Sequence, residues 1–166
     1  HIDKPYTTAV LSFVDGDRVM SSLNVSGAET VYVKIKANTK VAETVTMQFY
    51  IDRVITTAKG NETNELIVVH MTEAVNYHSN LRNVNKAYSG KPTTIMANIA
   101  AEFLSKPLKS SKELPQKTKI IVPNLTPLNA MSWIKNRLAT EKGYPFYMSS
   151  YLGGEELYLV DLKTMF

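Results

Sequence analysis

Lys119–Leu162, KIIVPNLTPLNAMSWIKNRLATEKGYPFYMSSYLGGEELYLVDL, is the stretch whose reading decides the fold. It reads as strand, capped helix and hairpin. Ile120–Val122 is a short β-branched run that Pro123 ends. Thr126-Pro127 opens a helix: the Thr hydroxyl is expected to accept an orphan backbone N–H, and Pro suits a first position that needs no donor. Ala130, Met131, Ile134 and Leu138 recur at helical spacing, with Lys135, Asn136 and Lys142 off that face. Gly143 supplies a left-handed stop. Phe146–Leu152 and Glu155–Leu162 then flank Gly153-Gly154, read as a two-residue loop because glycine takes positive φ at both positions. The unit is a small α+β layer with no obvious reactive group, which favours a structural role.

Working outward, Pro92 opens a second helix over Thr93–Leu104, with Ile95, Met96, Ile99, Ala100, Phe103 and Leu104 as its apolar stripe. Lys106–Lys117 reads as a Lys/Ser/Pro-rich loop. Thr72–Tyr88 reads as an irregular connection with room for one helical turn. Upstream of it the period changes to two. Thr7–Val14 is a strand, Asp15-Gly16-Asp17 a turn, and Arg18–Val25 the returning strand of a hairpin. Glu29–Lys36 alternates, with Val31, Val33 and Ile35 on one face. Ala37–Thr39 is a turn. Ala42–Thr57 puts Val45, Met47, Phe49 and Ile51 on one face and shifts phase at Asp52-Arg53, the signature of a bulge. Lys59-Gly60-Asn61 turns the chain into Asn64–Met71. Four or five such strands must curl or pack against something. The fold class expected is therefore α+β: an antiparallel β-barrel-like tube domain over residues 1–85, complete or not, then a small domain over residues 86–166 with two helices and a β-hairpin.

Composition fits this picture. Of 166 residues, 44% are hydrophobic and 20% charged, so a real core can form. The net charge of +4 is mild, and the densest basic cluster (Lys106, Lys109, Lys112, Lys117 and Lys119, interrupted by Glu113) reads as a solvated loop rather than a nucleic-acid patch. Absence of cysteine excludes disulfides and thiolate metal sites and suits a reducing compartment. No run has the length of a membrane span, so stable membrane insertion is not expected. The chain starts at His1 and stops at Phe166 directly after a strand, which reads as a fragment or a trimmed terminus.

The reactive residue types do not assemble into a motif. His1 is terminal, and His70 and His78 lack partners at metal-ligand spacing. Asp15 and Asp17 flank a turn glycine and fail the calcium-loop pattern. Glu155, Glu156 and Asp161 contain no pair singled out for glycoside hydrolysis. No nucleophile elbow or phosphate loop appears. Hence no catalytic, cofactor-binding or metal residue is assigned, no cofactor is expected, and no enzyme activity or small-molecule substrate. Tyr144, Phe146, Tyr147, Tyr151 and Tyr158, with Trp133, can either form a stacking surface for sugars or bases or divide between core packing and a subunit contact; the second reading is preferred.

These residues carry a resemblance. Tyr88-Ser89-Gly90-Lys91-Pro92 before an Ile/Met/Ile helix, a Lys-rich gap, the phrase I-V-P-N-L-T-P-x-x-A-x-x-W-I and then G-Y-P-F-Y-x-x-x-Y resemble the central part of baseplate hub proteins of contractile-tailed bacteriophages. The preceding strands, with Glu65–Met71 leading into a long connection, resemble that family's first tube-like barrel. The resemblance implies a homotrimer whose pseudo-sixfold ring joins the tail tube protein to the central spike protein, with DNA passing the lumen unbound. It implies a location in the virion baseplate after assembly in the host cytoplasm. Only one barrel's worth of strands is present, so the second barrel that the resemblance implies is either missing or on sequence not shown. Alternatives are a hub or spike of a related contractile injection or secretion system, or a carbohydrate- or nucleic-acid-binding module using the aromatic hairpin.

Overall fold

The computed structural model describes residues 3–17, 19–25, 27, 29–36, 44–59, 64–104 and 106–166. The chain divides into two units, Thr7–Ala74 and, around it in sequence, His1–Tyr6 with Val75–Phe166. The expected boundary at 85/86 therefore lies later than the observed one, because Ala74–Asn80, read as irregular, is a helix that mostly belongs to the second unit.

The first unit is a curled, half-barrel antiparallel sheet of β1 (Thr8–Asp15), β2 (Thr30–Ile35), β3 (Val45–Lys59) and β4 (Glu65–Glu73), in the order β1-β4-β3-β2. Among the described residues β1 and β2 are its edges. Most of the alternation read in the sequence is observed: Met47, Phe49, Ile51, Ile67, Val69 and Met71 form the buried face, with Phe13, Val31 and Val33 packed on it, but Ile35, read on the same face as Val31 and Val33, is 44% exposed at the end of edge strand β2. The bulge is observed too. Between β3 and β4 the register shifts between Ile51 and Arg53, which reverses the phase of β3 and brings Val54 onto the packed face.

One expectation for this unit is overturned. Arg18–Val25 is no returning strand, since Val19–Leu23 is the short helix α1, and β1 pairs instead with β4, Phe13 opposite Ile67. The cause is Asp15. Its carboxylate, 5% exposed, accepts hydrogen bonds from the Val19 and Met20 N–H groups at 3.0 and 2.8 Å, so it caps a helix rather than turning a hairpin. The turn read at Ala37–Thr39 lies outside the described residues. Of Lys59-Gly60-Asn61, Lys59 ends β3 and the rest also lies outside them.

In the second unit follow α2 (Ala74–Asn80), β5 (Ala87–Gly90), α3 (Pro92–Phe103), β6 (Leu108–Ser110), β7 (Thr118–Ile121), α4 (Pro127–Lys135), β8 (Phe146–Ser150), β9 (Leu157–Asp161) and α5 (Leu162–Met165). β5 pairs with β7, and β6, β9 and β8 form a second small sheet in that order. Helices α3 and α4 bury Ile95, Met96, Ile99, Ala130, Met131 and Ile134 against Phe146, Met148, Leu157 and Leu159 of the sheet. Each of these side chains larger than Ala130 contributes roughly 1.5–3 kcal/mol on burial, so this packing holds the short strands in place. Among the described residues no helix is long and apolar enough to cross a membrane.

The start of α4 differs from expectation in an instructive way. Pro127 is at the first turn, but the Thr126 side chain makes no cap hydrogen bond. The acceptor comes from elsewhere: the Ser79 hydroxyl, 1% exposed on α2, accepts from the Leu128 N–H at 3.0 Å. Asn124 orders the approach by taking a left-handed φ of 51°. At the other end α4 stops at Lys135. Gly143 does take positive φ, 80°, but in the following turn, where its N–H donates to the Thr140 carbonyl. Lys135 is also corrected. Read as lying off the apolar stripe, it is nonetheless 5% exposed and ion-paired with Asp3, whose other oxygen accepts from the Met148 N–H at 2.9 Å. Residues 3–6 are thus a strap on the second unit, with Tyr6 packed on its core.

Candidate functional site

The hairpin β8–β9 positions most of the aromatic residues. Phe146, Met148 and Leu159 face the core, and Tyr147 and Tyr158 fall on the opposite face, Tyr147 across from Val160 and Tyr158 across from Ser149. The last pair is Ser150 with Leu157, so the connection is Tyr151–Glu156 and not the expected two-residue loop. Inside it, the Gly154 N–H donates to the Tyr151 carbonyl at 2.9 Å, and Gly153 has φ 70°. Of the glycine pair only Gly153 is left-handed. Gly154 is small for a different reason: a Cβ there would lie 3.2 Å from the Tyr151 carbonyl oxygen. The turn presents Tyr151 and Leu152 to solvent, 66% and 55% exposed.

A polar chain stiffens this tip from below. The Tyr151 ring meets Tyr158 edge-on, centroids 4.8 Å apart. The Tyr158 hydroxyl donates to Glu156 at 2.8 Å, and the Lys109 ammonium bridges to the other Glu156 oxygen at 2.7 Å. Lys109 stands opposite Tyr158 because β6, unread in the sequence, runs parallel to β9. The hydrogen bond from Lys109, then that from Tyr158, holds the Glu156 carboxyl below its ordinary range; the same Glu156 raises both Lys109 and Tyr158.

The second feature is a cleft beside α4. Trp133 and Arg137 are one helical turn apart, and the guanidinium stacks 3.9 Å above the indole centroid while Nη1 donates to the Trp133 carbonyl at 2.7 Å. Two adjoining hollows of about 240 and 330 Å3 share Pro92, Gln116, Arg137 and Leu138 as lining. Trp133, Ile120, Ile134, Lys117 and Thr118 complete the first. None of the hairpin tyrosines lines either hollow; of the six aromatics, Phe146 is in the core, Tyr151 and Tyr158 meet at the tip, Trp133 lines the cleft, Tyr147 lies on the outer face of β8, and Tyr144 is exposed ahead of β8. Sequence reading passed over Arg137, although the W-x-x-x-R spacing was a signal for this stack.

The other flagged residues are dispersed. His70 is half-buried on β4, opposite Val10 and Arg53, and His78 is exposed on α2 beside Tyr77. Asp15 caps α1, and Asp17 is exposed. Asp161 caps α5: the Thr164 hydroxyl foremost, with the Ser111 hydroxyl and the Lys163 N–H, holds its carboxyl below the usual range. Glu156 and Asp161 are both depressed, the reverse of a proton-donating glycosidase acid. Of the lysine cluster, Lys106 is buried, Lys109 is paired with Glu156, and Lys112, Lys117 and Lys119 are exposed. Glu113 pairs with Lys91. Among the described residues no group of three His, Asp or Glu is placed to hold a metal ion.

No family model and no curated protein matches the chain. Its fold is similar to that of a solved structure, the 43 kDa tail protein of prophage MuSo2 from Shewanella oneidensis, with a TM-score of 0.58 at 9% sequence identity. The likeness covers 95% of this chain and 47% of that one, so the chain spans about half the length of the protein it resembles.

Proposed function

We propose that this chain is a structural, non-enzymatic component of a phage tail, and within it a part of the baseplate hub. Three copies form a pseudo-sixfold ring that joins the tail tube protein to the central spike protein in the virion, and DNA passes the lumen without specific binding. The observation that carries this reading is the two-unit fold, a curled antiparallel sheet and an α+β layer, shared with a phage tail protein across 95% of the chain. The surface chemistry supports it. Edge strand β1 exposes Val10, Leu11 and Val14 and edge strand β2 exposes Tyr32 and Ile35, an arrangement that invites pairing with other subunits. Half-barrels joined edge to edge then make a tube wall from several copies.

The test is imaging of the protein in its assembled form. Electron microscopy of tail particles, with this chain located by an antibody or a fused marker, is expected to place three copies in a ring at the tube–spike junction. Particles lacking the chain at that position, or full-length protein that stays monomeric at high concentration, refute it.

A further inference from the structure

The geometry points to a head-to-tail contact between copies of this chain, in which the hairpin tip Tyr151–Leu152 of one copy fills the Trp133–Arg137 cleft of the next. Both surfaces belong to the second unit, and they are complementary in shape, polarity and charge. The tip is a convex apolar knob of two adjacent large side chains, 66% and 55% exposed. It is also stiff. The Gly154 N–H closes the turn, Tyr158 supports the Tyr151 ring, and Glu156 with Lys109 supports Tyr158. Little freedom is left to lose on binding, and exposed tyrosine of this kind is the residue type that dominates interface energy.

The cleft is the concave counterpart. Its hollows of about 240 and 330 Å3 lie at or below the small end of the ~300–1,000 Å3 typical of small-molecule sites. That size suits one or two protein side chains. Pro92, Ile120, Trp133 and Leu138 supply apolar wall, and Lys117 and Arg137 stand against a single lining carboxylate, Glu141. The tip brings the opposite sign, since exposed Glu155 follows the turn directly. Knob and hole are different surfaces, so copies that each bind two different neighbours build a closed ring or an open chain, whereas reciprocal exchange of tips between the same two copies would close a twofold dimer. The inference goes beyond the tail reading, whose proposed contacts are the strand edges of Thr7–Ala74.

The test is sedimentation velocity of the full chain over a concentration series. Wild type is expected to grow in mass with concentration. Tyr151→Ser with Leu152→Ser removes the knob, and Gln116→Trp fills the cleft from its exposed rim. Each alone is expected to weaken association about a hundredfold, with circular dichroism and melting temperature unchanged. Mixed one to one, the two variants regain a single tip–cleft contact per pair, because one copy offers only a cleft and the other only a tip. A second arm covers a variant that misfolds: Glu155→Lys and Lys117→Glu each weaken association, and their mixture restores it. A monomeric wild type, or mixtures that recover nothing, overturns the inference. Variants that associate like wild type also overturn it, while leaving the edge-paired ring of the tail reading intact.

Discussion

Asp3→Ala is expected to cost more stability than Lys135→Met, although the two remove the same ion pair. The asymmetry follows from exposure. Lys135 is 5% exposed and Asp3 43%. Truncating Asp3 strands a buried ammonium and also takes the acceptor from the Met148 N–H. A fully buried pair broken this way costs about 3–5 kcal/mol. Water reaches the vacated Asp3 position, so the expected figure is about 3 kcal/mol, of which about 1 belongs to the Met148 N–H. Lys135→Met leaves a carboxylate that water and the Met148 N–H still serve, and Met keeps the apolar stem contacts; its cost is about 0.5–1 kcal/mol. The double variant should therefore be more stable than Asp3→Ala alone. Trp133, the single tryptophan, lies in the same unit, so urea unfolding followed by its fluorescence reads the affected structure. With a slope of about 2 kcal/mol/M, Asp3→Ala moves the midpoint down by about 1.5 M. Equal costs for the two single variants, or a double variant worse than Asp3→Ala, refute the reasoning.

Other outcomes follow from the same geometry. Ser79→Ala leaves the buried Leu128 N–H without its acceptor and should lower stability by about 1–3 kcal/mol, whereas Thr126→Ala, whose hydroxyl caps nothing, should cost clearly less; thermal melting of the two side by side decides it. Gly153→Ala places a side chain at φ 70° and should cost about 1–2 kcal/mol, with Gly153→Asn milder, measured by the same melt. Asp161 carries a depressed pKa caused first by Thr164. The stability it adds is fully present above the ordinary carboxylate range and is lost as pH falls through the lower folded value. Asp161→Asn should therefore be destabilised at pH 7 and converge on wild type in acid, followed by circular dichroism across a pH series.

How much of this was legible in the sequence depends on the range of the interaction that decides each element. The period-two runs through Val31–Val33 and Met47–Ile51, and the phase shift at Asp52, are local patterns, and the sheet reproduces them. The stripes of α3 and α4 are local as well. What was misread is settled by distant partners. Thr126 looked like the cap of α4, but the acceptor sits 49 positions away on Ser79. Lys135 fell off the apolar stripe with nothing nearby to neutralise it; Asp3 is 132 positions earlier. β6 hides in a Lys-rich run because three residues show no period, and only parallel pairing with β9 makes them a strand. Asp15 was visible as turn chemistry, yet the same carboxylate caps α1, since Asp serves both uses. The cleft was half visible: Trp133 was singled out, but its grouping with the tyrosines ignored where along the hairpin, and on which of its faces, each one lies.

The strap formed by residues 3–6 has a consequence for how the molecule is made. Asp3 leaves the ribosome before any of Thr7–Ala74, while Lys135 and Met148 emerge long afterwards. The sheet of the first unit is complete in covalent terms once Glu73 has been synthesised, and its ends are tied by the Glu73 N–H to the Thr7 carbonyl at 3.0 Å and the Thr7 N–H to the Glu73 carboxylate at 2.9 Å. The first unit can therefore fold during translation, in line with the domain-by-domain habit of nascent chains, whereas the second must wait for almost the whole chain. Until then its first few residues are held out as a waiting segment, and a nascent chain arrested before Met148 would carry a folded sheet with an unclasped leader.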